Sequence, residues 1–220
     1  MRGSCSGSIE GLPEQFIHSY PVKVGLTREA ARPVRAGTMG VGSLRLMAGD
    51  LADPRRAEPP MDGLGEREML EAWLEFHRTT LLLKCEGLDD RARKERPVAT
   101  SRLSLHGLVR HMAEVERSWF RRVLQRQPDA PYIWYDPAAE DSEMIPLDSA
   151  GWEEDLAAWQ AECEASRKAA AARGLGDAGL TRRGEPCSLR WIYVHMIEEY
   201  ARHNGHADLI RELIDGTVGC

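Results

Sequence analysis

Beyond residue 62, apolar residues recur every three or four positions along most of the chain, the period of helices buried on one face. A first helix is predicted over residues 66–86, with Met69, Leu70, Trp73, Phe76, His77 and Leu81 as its stripe and Gly87 placed to stop it. A second is predicted over 103–126. Leu105, Leu108, Met112, Val115, Trp119 and Val123 share one side, Ser101 or Ser104 can cap it, and Pro128 and Pro131 end it. Residues 127–150 carry Tyr132, Trp134, Tyr135 and several acidic residues but no period; a connection this long marks either function or a crossover. A third helix over 152–172 puts Leu156, Trp159 and Cys163 on one face. Gly174, Gly176 and Gly179 follow, then a short stretch at 180–186, then a fourth helix over 188–215, capped by Ser188 and closed by Gly216. The pattern predicts an all-α fold, a four-helix bundle with a long connection between helices 2 and 3. No strand pattern lasts beyond a few residues.

The first sixty residues differ. Gly, Ser and Pro are frequent there and no period lasts. Residues 1–46 carry a net +3, so the −6 of the whole chain leaves −9 on the rest. No apolar core of a secretory signal and no convincing amphipathic transit helix is present. The expectation is a disordered leader over residues 1–60, or an over-called translation start with Met39, Met47 or Met61 as alternatives, followed by a bundle domain over 61–217.

Composition narrows the function. With 42% apolar residues, 220 residues can bury one real core. No apolar run is long enough to span a bilayer, and the acidic balance disfavours nucleic acid. Cys5, Cys85, Cys163, Cys187 and Cys220 are widely spaced without a C-x-x-C pair, so the expected location is a reducing cytoplasm. P-loop, G-x-G-x-x-G and G-x-S-x-G motifs are missing.

The chemistry concentrates in the fourth helix. Ile192, Met196, Glu199, His203, His206, Ile210 and Leu213 step by four and three, an inward seam whose middle positions are ionisable. A buried charge needs a partner or a metal. Glu199 and His203 are i, i+4 neighbours and can reach one point. His111, three residues after Leu108 and four before Val115, lies on the apolar side of the second helix and can supply a third ligand. Two imidazoles and one carboxylate suit a catalytic zinc with an open fourth position; nickel, iron and manganese accept the same donors. A His–Glu pair that only hydrogen-bonds within a core accounts for the same residues, as does a satisfied core histidine at 111. His206 is a candidate for proton transfer or for supporting the ligands from outside. His195 flanks the seam, and His77, His106 and His18 have no partner legible in the sequence. Arg110, Arg190 and Arg202 lie near the ligands in sequence, but helix phase does not aim them at the site, and surface solvation is the simpler role.

At these residues the chain resembles the DinB-like metal-binding four-helix-bundle superfamily, which is unrelated to the DNA polymerase of that name. Within it, the chain is similar to the actinobacterial branch that includes the mini-circle protein. The resemblance is carried by "LHGLVRHMAEVERSWFRRVL" and "SLRWIYVHMIEEYARHNGHADLIRELIDG", with "LEFHRTTLLLKCEGL" before them, and covers residues 60–217. It implies a divalent metal held by His111, Glu199 and His203. Glu199 stands where many members have His, although mycothiol-dependent maleylpyruvate isomerase, a relative, also has an E-x-x-x-H pair. It further implies a low-molecular-weight thiol cosubstrate such as mycothiol, activated on the metal, and an electrophilic small-molecule partner: an S-transferase or isomerase. Two other readings stay open. One is a non-catalytic metal-binding or stress-linked bundle; the other is a metal-free module that dimerises through a helix face, and a homodimer is compatible with all three.

Overall fold

Ser104 and Ser188, the two residues that begin the chemistry-bearing helices, both act as caps, accepting the N–H of Gly107 at 3.1 Å and of Trp191 at 3.2 Å. The computed structural model describes residues 53–139, 141–145 and 148–219. The expected leader lies outside the described residues up to position 52. Pro54–Arg56 forms a 3-10 turn on the first helix, with Arg56 Nε donating to Thr80 Oγ1 at 2.7 Å.

Four long helices build the domain. Helix α1 is Glu66–Cys85, and Glu68 accepts the Gly65 N–H ahead of it at 3.0 Å. A one-turn helix α2, Asp90–Lys94, follows. Helix α3 is Leu105–Glu116, continued by a π-helical stretch Arg117–Leu124. Helix α4 is Trp152–Ala171 and α5 is Leu189–Asp215. The predicted stops hold: Gly87 and Gly216 take left-handed φ values of 75° and 79°, which glycine adopts at no steric cost. Helix α1 packs along α5 and α3 along α4, while α3 also touches α5 and α1. Among the described residues, no helix is long and apolar enough to cross a membrane.

All twelve residues of α3 are buried, including His106, Arg110, His111, Glu114 and Glu116. It is the central helix. Its charged residues are therefore partnered inside the protein, and Arg110 is a correction to surface solvation. Its guanidinium lies over the Trp134 ring at 4.7 Å and 3.7 Å from Asp155. Arg190 and Arg202 stay on the surface, paired with Glu66 and Glu198.

Three details depart from the sequence pattern. First, the second helix widens to a π turn at Arg117, where Arg117 and Arg121 both bond Glu162 of α4. Second, Ala178–Leu180 (β1) and Pro186–Ser188 (β2) pair antiparallel, with Gly179 opposite Cys187. This hairpin presses so closely on the π stretch that a Cβ on Gly179 would sit 2.2 Å from the Val123 carbonyl oxygen. Third, Leu213 is 59% exposed, while Ile192, Met196, Tyr200, His203, Ala207 and Ile210 form the buried seam of α5. A strict seven-residue step drifts about 20° per heptad on a straight helix, so after three heptads the last position has rotated out. On α1, Trp73 and His77 are half-buried, and Leu74, Arg78 and Cys85 take the inner positions.

Candidate metal centre

His111 stands on the middle of α3, and Glu199 and His203 stand one turn apart on α5 where it meets α3. The structure brings the three together. The His111 and His203 rings meet edge to face with centroids 4.7 Å apart, and His203 Nε2 lies 3.5 Å from Glu199 Oε2. One donor atom from each residue falls within 4.8 Å of the others. Donors about 2.0–2.1 Å from a tetrahedral ion sit roughly 3.4 Å apart, so small side-chain shifts close the set around one ion.

The electrostatics suit neutral nitrogen donors. Burial pushes the His203 imidazole down to about 4, helped by His111 and His206 and opposed by Glu199, so the ring is uncharged at neutral pH. Burial works to raise the Glu199 carboxyl, but facing His203, with His195 and His111 beyond, holds it below the ordinary glutamate value. A ligand set needs this combination of free imidazole lone pairs and an ionised carboxylate.

Each of the three has an outer neighbour. His206 Nδ1 lies 3.4 Å from His203 Nδ1. His195 Nε2 lies 3.5 Å from Glu199 Oε1, and its ring is held between Trp191, stacked at 4.9 Å, and Trp119, edge-on at 4.5 Å. Glu143, from the long connection, accepts from His111 Nδ1 at 3.0 Å. His206 thus meets the back of a ligand ring and is not part of the donor cluster. A second group, His195, Glu198 and Glu199, shares Glu199 but includes an exposed Glu198 that pairs with Arg202.

The donor set fits a divalent ion on one further count. Glu143 Oε2 is buried and has no hydrogen-bond partner, so a carboxylate lies beside the cluster with half its capacity unused. Glu143 was not singled out in the sequence, because it sits in an aperiodic stretch. His195, which flanks the seam, stands four residues from Glu199, the same spacing that joins Glu199 to His203. The two other described histidines are engaged elsewhere: His106 Nε2 pairs with Asp155 at 2.8 Å, and the His77 ring lies with Nδ1 3.4 Å from the Asn204 side-chain nitrogen. His18 lies outside the described residues. Cys85, Cys163 and Cys187 are buried and free, with burial raising their thiols, that of Cys85 to about 12. They are inert core thiols rather than nucleophiles.

Residues 69–216 match the family model described as mycothiol-S-transferase. No curated protein and no solved structure matches the chain. The match spans α3 and α5 and so takes in every residue of the donor cluster. With two thirds of the chain matched to that model, the protein belongs to the mycothiol-S-transferase family, a member of the DinB-like superfamily.

Proposed function

We propose that the protein is a metal-dependent enzyme that uses the thiol of mycothiol to transfer to, or isomerise, an electrophilic small molecule. The observation that carries the reading is a donor cluster of three residues, His111, Glu199 and His203, lying within the family match. Three protein donors leave a position open, the mark of a catalytic rather than a structural site. Zinc suits two imidazoles and a carboxylate best; nickel, iron and manganese share those preferences.

When bound, a divalent ion supplies the positive charge that makes a thiol ionise near neutral pH. His111, Glu199 and His203 hold that charge and move no proton. The cosubstrate's thiolate attacks the electrophilic carbon. A carbon–sulfur bond forms as the leaving group departs with its electron pair, or the sulfur adds and is later expelled in an isomerisation. In this reading His206, half-exposed with its Nδ1 3.4 Å from His203 Nδ1, relays a proton or orients the His203 ring. Free buried cysteines agree with a reducing cytoplasm as the place of action.

The test is metal analysis of the full chain purified without chelators, beside His203→Ala, followed by a pH titration of mycothiol thiolate absorbance on the metal-loaded protein. The reading expects about one ion per chain, its loss in the variant, and a thiol that ionises at lower pH when bound. A metal-free native protein overturns it, as does an unshifted thiol.

A further inference from the structure

Two described parts of the connection between the π stretch and α4 are tied down. Glu114, wholly buried on α3, accepts three successive backbone N–H groups with one oxygen: Ile133 at 2.6 Å, Trp134 at 2.6 Å and Tyr135 at 3.0 Å. Further along, residues 141–145 form a turn, with the N–H groups of Met144 and Ile145 both donating to the Asp141 carbonyl. Met144 enters the core, and its neighbour Glu143, 3% exposed, reaches His111. A segment with no helical period thus delivers one carboxylate to one ligand ring.

That contact decides which nitrogen of His111 is available. A neutral imidazole has one N–H and one lone pair. A carboxylate only accepts, so the bond at 3.0 Å puts the proton on Nδ1 and the lone pair on Nε2. Glu143 bonds that ring through one oxygen, with the buried Arg110 guanidinium also within electrostatic reach, and the other oxygen, Oε2, has no hydrogen-bond partner. A dication held on the far side of the same ring adds to the compensation that Arg110 gives.

We propose that Glu143 is the positioning residue of the metal centre. It fixes the His111 tautomer that presents Nε2 to the cluster, and its charge strengthens His111 as a ligand. The proposal rests on the metal reading above. It carries a reciprocal consequence: whatever Glu143 adds to metal affinity, the metal returns to the docked connection.

The experiment titrates Zn2+ into the full chain against a chromophoric chelator, for the native protein, Glu143→Gln and Glu143→Ala. Hydrogen exchange over residues 141–145 and the 15N shifts of the His111 ring are followed in parallel. Gln keeps the size and an accepting oxygen but loses the charge. Its Zn2+ affinity falls about 10–100-fold, the range for outer partners of metal ligands, with an unchanged circular dichroism spectrum. In the metal-free protein the native ring shows the Nδ1–H form, and Glu143→Ala shows a mixture. Zn2+ slows exchange at 141–145 in the native chain and does so far less in Glu143→Gln. Affinities within twofold across the three proteins overturn the role of Glu143 and leave the metal reading standing, even where a variant loses metal-free stability. A native chain that takes up no Zn2+ overturns both.

Discussion

Arg78 and Glu116 form a two-point ion pair at the centre of the bundle, Nε to Oε1 at 2.8 Å and Nη2 to Oε2 at 2.7 Å. Neither is open to solvent. Tyr200 donates to the same Glu116 oxygen at 2.8 Å, and Trp159 donates to the Tyr200 hydroxyl at 2.9 Å. One polar network therefore joins all four long helices and fixes how α5 sits on α3, which sets the spacing of His111 and His203.

Breaking that pair is expected to cost more than removing it. Glu116→Leu leaves the Arg78 charge buried without its main partner, and Arg78→Met strands Glu116; each lowers unfolding free energy by about 3–5 kcal/mol. The double variant loses distinctly less than the sum of the two. Urea unfolding of the four proteins checks this, and additive losses would show that the pair is not coupled.

Glu114→Gln is expected to loosen the connection without unfolding the bundle. One charge-assisted acceptor serves three N–H groups, and a neutral amide holds them less tightly, a loss of about 1–3 kcal/mol. Hydrogen exchange at Ile133, Trp134 and Tyr135 rises more than exchange within α3. Because the same connection carries Glu143, Zn2+ affinity falls as well. Unchanged exchange at those three amides would contradict the anchoring role.

The helices were legible because burial on one face imposes a period, and their ends because Ser104, Ser188, Gly87 and Gly216 have the right chemistry at the right place. Glu199 and His203 were legible because they interrupt an apolar seam one turn apart. Glu143 was not. Its position depends on Glu114 capturing backbone groups about twenty residues away, and side chain to backbone capture leaves no spacing in a sequence. Arg78 and Glu116 were hidden for a related reason: each alone reads as a surface charge, and only the packing of α1 on α3 makes them partners. The π stretch was equally silent, since Trp119 and Val123, the positions an α-helical period picks out there, are buried in it all the same.

His206 and His203 are expected to separate in metal binding although only three residues apart. His203→Ala removes a donor and abolishes stoichiometric Zn2+. His206→Ala removes only the neighbour at 3.4 Å behind the ring, keeps about one ion per chain, and weakens binding by roughly tenfold. Metal analysis with chelator competition distinguishes them. Complete loss of metal in His206→Ala would make it a ligand and close the site.

The metal-free protein should lose stability as pH falls through the range in which His203 protonates in the unfolded chain but not in the folded one. Burial first, then His111 and His206, hold the folded ring at about 4, against an ordinary value near 6.5. Below about 6.5 the unfolded chain takes up a proton that the native state refuses, so unfolding is favoured. The contribution is fully present above 6.5, declines toward 4, and amounts at most to about 3 kcal/mol. Other groups titrate over the same range, so the informative quantity is a difference. Urea unfolding with a chelator present, at several pH values from 7.5 to 4, should fall more steeply for the native chain than for His203→Gln. A metal ion requires the same unprotonated ring, so added Zn2+ should stabilise the native chain strongly at pH 7.5 and progressively less toward pH 5. Parallel pH profiles for the two metal-free proteins would show that His203 accepts its proton as readily in the fold as outside it.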